Sequence, residues 1–149
     1  MDHKINLDLW WGQLEHLTLE SSDSKFEKMT DYLSDDCIVY FGGMNAPVSF
    51  GKAEVKKDFK KTLSYWKLMK REVTNFAIKD NIVFCAMKNK LQILGVKVDD
   101  FYETEVGTFD DEGKIKRYEL YCDPTPIRKI FSDVNNWPLS LESTPWLWQ

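Results

Sequence analysis

The order of periodicities along the chain predicts one α+β domain, its helices gathered on one face of an antiparallel sheet. Two observations carry that prediction. Apolar residues recur at helical spacing in three early segments, and from about residue 68 to residue 123 the pattern changes to strand-like alternation. The composition also suits a closed core, since 43% of the 149 residues are hydrophobic and 14% aromatic, far from a disordered chain. No internal repeat or low-complexity tract divides it.

Leu7, Trp10, Trp11, Leu14 and Leu17 stand three and four apart and predict a first helix, roughly 4–20. Ile5, Leu9, Gly12, His16 and Leu19 form a second, narrower face, so this helix is expected to be sandwiched between other elements. Ser24 and Glu27 have capping-box spacing ahead of Phe26, Met29 and Leu33, which predicts a short second helix. Cys37–Phe41 is β-branched and aromatic and reads as a strand, broken by Gly42 and Gly43. Past Pro47 and Gly51, the spacing of Val55, Phe59, Leu63 and Trp66 predicts a third helix over about 52–68.

Four antiparallel strands are then expected at Val73–Ile78, Ile82–Leu91, Phe101–Phe109 and Ile115–Cys122. Lys79-Asp80-Asn81 and Asp110–Gly113 are hairpin turns, and Gly95–Asp100 is a longer connection. Alternation assigns the faces. Cys85, Met87, Asn89 and Leu91 share one side with Tyr118, Leu120 and Cys122, while Lys88, Lys90 and Arg117 take the other. The charged side is expected outward. Pro124 and Pro126 end the sheet, with Asp123 anchoring the turn.

Several functional classes are set aside. A net charge of −4 argues against nucleic acid, and the run Lys56, Lys57, Lys60 and Lys61 alternates with Glu54 and Asp58 as a solvated helix face does. The start, MDHKINLDLWWG, does not read as a signal peptide, and no stretch approaches the ~18 apolar residues of a membrane helix. Cys37, Cys85 and Cys122 are odd in number and lie in apolar segments, which points to reduced thiols and a cytoplasmic setting. With two His and no Cys pair at ligand spacing, neither a metal nor another cofactor is expected. Walker, GxGxxG and GxSxG motifs are absent from the sequence.

The segments LSDDCIVYFGG at 33–43, FGKAEVKKDF at 50–59 and TFDDEGKIKRYELYCDPTPI at 108–127, in this element order, resemble the nuclear transport factor 2-like superfamily and within it the SnoaL-like polyketide cyclases. The resemblance spans about residues 7–131. It implies a cystatin-like cone, a curved antiparallel sheet wrapped on three N-terminal helices, enclosing a pocket for a small apolar molecule. It also implies a homodimer formed through the outer sheet face. Residues 132–149, with Trp137, Trp146 and Trp148, form an aromatic tail beyond that domain, suited to a lid or a dimer contact.

Family positions transfer unevenly. The general-base Asp of the ketosteroid isomerases falls on Phe41 or Gly42, and the last-strand carboxylate of many cyclases and epoxide hydrolases falls on Leu120. The epoxide hydrolases' acid on the strand equivalent to 82–91 falls on Asn89. The isomerases' oxyanion-hole Tyr falls near His16, or on Leu17, and their oxyanion-hole acid on Glu105.

The candidate catalytic residues are therefore His16, Glu105, Asn89 and Tyr118. His16 would move protons near neutral pH, and Asn89 and Tyr118 would polarise a carbonyl. Glu105, with Glu103, either faces the pocket with a raised pKa or pairs outward with Lys88, Lys90 or Arg117. Tyr40, Trp66, Met87, Leu120 and Cys122 are the candidate ligand-lining residues. Two functions follow: a cofactor-free isomerase, cyclase or dehydratase acting on a polyketide- or terpenoid-like molecule, or a non-catalytic ligand-binding or dimeric module of the same fold. Convergence of His16, Asn89 and Tyr118 on one cavity separates them.

Overall fold

The computed structural model describes residues 2–42 and 47–134. Helix α1 (His3–Glu15) starts where the Asp2 carboxylate accepts the Ile5 N–H at 3.1 Å. It buries Leu7, Trp10, Trp11 and Leu14. It is shorter than predicted, because the His16 N–H bonds back to the Gln13 carbonyl at 3.3 Å and the chain turns away. The second apolar face is not sandwiched by described residues: Ile5, Leu9 and Leu19 are exposed. Helix α2 (Asp23–Thr30) is capped from Ser22 without a side-chain bond, so the expected Ser24–Glu27 capping box does not form.

Strand β1 (Leu33–Gly42) starts four residues earlier than the sequence suggested, and the short β2 (Ser49–Phe50) pairs with it. Helix α3 (Lys52–Leu63) ends at Leu63, and Trp66 opens a strand, β3 (Trp66–Lys70), where the sequence predicted helix. Strands β4 (Val73–Lys79), β5 (Ile82–Ile93), β6 (Val96–Phe109) and β7 (Ile115–Cys122) follow, then a fourth helix, α4 (Thr125–Asp133), which the sequence analysis did not predict. Asp123 anchors its start, accepting from the Thr125 N–H at 3.0 Å and Oγ1 at 2.6 Å. The Trp-rich tail expected to act as a lid lies outside the described residues.

The strands run in the order β2-β1-β7-β6-β5-β3, with β4 also on β5. The sheet is mixed, because β1 pairs with β7 in parallel. Irregular register in five strand pairs, as at Asn89/Leu91 and Thr108/Phe109, supplies the bulges that curl it. β6 starts earlier than predicted. Leu94 (φ 49°) and Gly95 (φ 80°) form a two-residue hairpin turn, and Asp100 (φ 55°) marks the bend ahead of Phe101.

The helices lie in the concavity and the core fills the space between: Leu7, Phe26, Met29, Leu33, Cys85, Phe109 and Tyr118 have no exposed surface. Packing is close where β6 meets α1, since a Cβ on Gly107 would stand 3.3 Å from the Phe109 ring and 3.6 Å from Leu7. The result is an α+β cone. Among the described residues no helix is long and apolar enough to cross a membrane.

Candidate active site

Alternation in β5, β6 and β7 turns one row of side chains into the cone. Met87 pairs with Glu103, and Glu103 with Cys122, while Cys85 pairs with Glu105, and Glu105 with Leu120. Both glutamates therefore face inward, with Glu105 fully buried and Glu103 at 6% exposure. The outward pairing with Lys88, Lys90 or Arg117 does not occur. Lys88 meets Asp100 at 3.7 Å and Arg117 meets Glu119 at 3.4 Å.

Glu105 is held from every side. Its Oε2 accepts from Trp11 Nε1 and Tyr118 OH, each at 2.6 Å, and its Oε1 accepts from Arg71 Nη2. Arg71, at the bend between β3 and β4, also donates from Nη1 to Asp8 at 2.6 Å, and Asp8 accepts from Lys4 at 2.6 Å. Two cations and two carboxylates alternate, so the buried charge is neutralised within the network. Burial alone would lower the Arg71 pKa, but the charges of Glu105 and Asp8 overcome it and hold it above its usual value. Burial and then the Glu105 charge push the Tyr118 hydroxyl well above its usual range. Tyr118 OH is a fixed proton donor to Glu105.

Glu103 is held differently. Its Oε1 accepts one bond from Asn89 Nδ2 at 2.9 Å, and no Lys or Arg among the described residues reaches it. Asn89 is oriented by its other end, where Oδ1 accepts the Glu72 N–H at 3.0 Å, so its amide NH2 must face Glu103. Burial raises the Glu103 carboxyl from 4.5 to about 7 against the Asn89 bond, with help from the Glu105 charge. A carboxyl poised there exchanges its proton at neutral pH. Cys122, opposite it and half-buried, is a protonated thiol, pushed up to about 12 by burial and then by Glu103. Half-buried Cys122 and Phe41 mark the accessible ends of the inner rows of β7 and β1.

The structure brings Glu105, Asn89, Tyr118, Met87 and Leu120 onto one concave surface. It does not bring His16 there: the ring is exposed beyond the end of α1 and joins no described hydrogen bond to the inner row. Tyr40 does not face the pocket either. It pairs with Glu119, on the outer parity of β7, and its ring meets Tyr121 at 6.1 Å. Trp66 is half-buried and packs edge-on against Phe59 at 5.9 Å. The middle of the expected hollow is filled by rings, with Trp10 4.8 Å, Trp11 6.1 Å and Phe41 6.4 Å from Tyr118.

Arg71 and Asp8 were not singled out from the sequence. Arg71 sits in the run KLMKREV, where nothing in the spacing separates it from the surface lysines beside it. Two buried donors, Trp10 Nε1 and Arg71 Nε, lack an acceptor among the described residues. No group of three His, Cys, Asp or Glu is placed there to hold a metal ion.

No protein-family model matches the sequence, and no curated protein matches it. Solved structures do. An NTF2-like protein of unknown function from Burkholderia pseudomallei superposes with a TM-score of 0.68 at 12% identity, over 87% of this chain and 97% of that one. TerC co-crystallised with polyporic acid gives 0.67 at 13% identity, over 87% and 98%. An LEH-like epoxide hydrolase of M. tuberculosis gives 0.65 at 16% identity, over 85% and 86%. Identities this low speak to architecture and not to chemistry. With helices seated in a curled mixed sheet and these likenesses across most of its length, the chain has the nuclear transport factor 2-like fold.

Proposed function

We propose that the protein is a cofactor-free enzyme that moves a proton on a small, mostly apolar molecule, with Glu103 as the acid–base group. The observation that carries this reading is a buried carboxyl with one neutral hydrogen-bond partner and no cation, beside a second carboxylate whose charge is fully matched. Pairs of like groups driven apart by their surroundings mark acid–base sites. In its ionised form Glu103 takes a proton from a carbon next to a carbonyl and returns it elsewhere on the substrate, which is isomerase, cyclase or lyase chemistry. Asn89 keeps the carboxyl in one orientation. Trp10 Nε1, a buried donor still without an acceptor and beside Tyr118, suits the substrate carbonyl. Met87, Leu120 and Cys122 supply the apolar wall. A polyketide- or terpenoid-like substrate fits such a lining, and the TerC and SnoaL-like neighbours support that class. His16 has no part in this chemistry.

A second reading, a ligand carrier of the same fold without turnover, is favoured by one observation. Tyr118 and Glu105 saturate one another, so neither is free to act on a ligand. Native mass spectrometry of protein purified from its own host tests both readings by looking for a retained small molecule. If wild-type protein converts that molecule and Glu103→Gln binds it without conversion, the enzyme reading holds. If wild type binds it and never alters it, the carrier reading replaces it.

A further inference from the structure

Strand β4 is left bare on three sides. It pairs with β5 along one edge, and no described strand pairs with the other. Six of its seven residues are exposed, with Phe76 at 58% and Ile78 at 48%. Phe76 and Ile78 pair with Cys85 and Val83 and so lie on the concave side, where only Lys4 stands over the Phe76 ring, at 4.9 Å. Ala77 pairs with Phe84, which is 41% exposed on the outer side. The edge is therefore apolar on both faces. Between Val73 and Ile78 there is no charge, no proline and no glycine, and register is regular from Asn75 to Lys79. Proteins that stay monomeric blunt such edges with lysines, prolines, bulges or a covering helix.

We infer that β4 is an interface with a second copy of this chain, formed by antiparallel β4–β4 pairing about a two-fold axis at Phe76. The sequence of the strand is self-complementary in that arrangement. Val73 faces Lys79, Thr74 faces Ile78, Asn75 faces Ala77 and Phe76 faces its own copy, so no charge meets a like charge within the strand. The free main-chain groups of each edge become the partners of the other, and the two sheets join into one. The outer sheet face is the competing surface. It exposes Tyr102 and Tyr121, but Lys88, Lys90, Arg117 and Glu119 stand among them, a polar mixture that water already satisfies. This interface is independent of the chemistry assigned to Glu103.

Light scattering after size exclusion, with native hydrogen exchange, tests the assignment on the full chain. Wild type should run at twice 17.6 kDa. Exchange at β4 amides should slow about threefold for each roughly tenfold rise in concentration, as mass action requires of a dissociating dimer. Phe76→Lys and Ile78→Lys each place like charges near the two-fold and should give the single-chain mass with unchanged circular dichroism. Tyr102→Lys should remain dimeric. A wild type that stays at one chain mass overturns the inference, as do Phe76→Lys and Ile78→Lys proteins that remain dimeric. Dissociation by Tyr102→Lys alone would assign the dimer to the outer face instead. Concentration-independent protection of β4 would mean that another part of the chain covers it, which also overturns the inference.

Discussion

Replacing Glu103 with Gln separates a poised buried carboxyl from an ordinary core polar group. The amide oxygen still accepts from Asn89, so shape and hydrogen bond survive and only the titration is removed. In the folded protein the carboxyl titrates at about 7 against an ordinary 4.5. Between those values the native state holds a proton that the unfolded chain has lost, so wild-type stability falls as pH rises through that window. The fall amounts to about 3 kcal/mol for a shift of this size, with about 1.4 kcal/mol per unit. Glu103→Gln does not titrate. Its stability relative to wild type should start level near pH 4 and rise to about 3 kcal/mol by pH 8, or about 6–12 °C in Tm for a domain of this length. Thermal unfolding of both proteins across that range, in one buffer series, gives the difference directly. A difference that is flat with pH would refute the reasoning. So would a mutant that loses ground on the alkaline side, since either result requires an ionised Glu103 stabilised by a partner absent from the described contacts.

The matched network around Glu105 makes the opposite kind of prediction. Glu105→Leu strands the Arg71 charge and should cost about 3–5 kcal/mol in urea unfolding. Adding Arg71→Met should then lose less than the two single losses combined, by on the order of 1–3 kcal/mol, and strict additivity would show that the pair is not coupled. His16→Ala should change stability by no more than about 0.5 kcal/mol and leave any turnover intact, because the ring is exposed. Gly107→Val drives a branched side chain into Phe109 and Leu7 and should destabilise by about 1–3 kcal/mol; an unaffected Tm would mean that the β6–α1 contact has slack.

Strand alternation made the concave face legible residue by residue. Cys85, Met87, Asn89, Tyr118 and Leu120 all stand where period two puts them, because a sheet half-covered by helices buries every second side chain. Element ends were legible only where turn chemistry is conventional. The Leu94-Gly95 turn has Leu in a left-handed conformation usually given to Asn or Gly, so the chain appeared to leave the sheet there, and β6 seemed to start after its own bend at Asp100. Trp66 and Leu68 continued the helical spacing of α3 by coincidence. Pairing with Ile93 and Leu91 overrode that local pattern and made them strand. The parallel pairing of β1 with β7 joins distant parts of the chain and leaves no local trace.

The site was harder to read because chemistry in it is decided by what comes from elsewhere. Glu103 and Glu105 are the same residue type, two apart, on the same face of the same strand, and alternation gives no ground to prefer either. Arg71 breaks the tie. It enters from the β3–β4 bend, where its guanidinium spans Asp8 and Glu105 and reaches one carboxylate but not the other. Glu105 thereby becomes part of the scaffold, while its charge, together with burial, helps keep a proton on Glu103. His16 failed as a candidate for a related reason. Its face of α1 looked apolar in the sequence, but the buried direction was fixed by Leu7, Trp10, Trp11 and Leu14 meeting the sheet, which turned Ile5, Leu9 and His16 toward solvent. A residue's type sets what it can do. Which of two like residues does it here follows from where the bend at Arg71 delivers its charge.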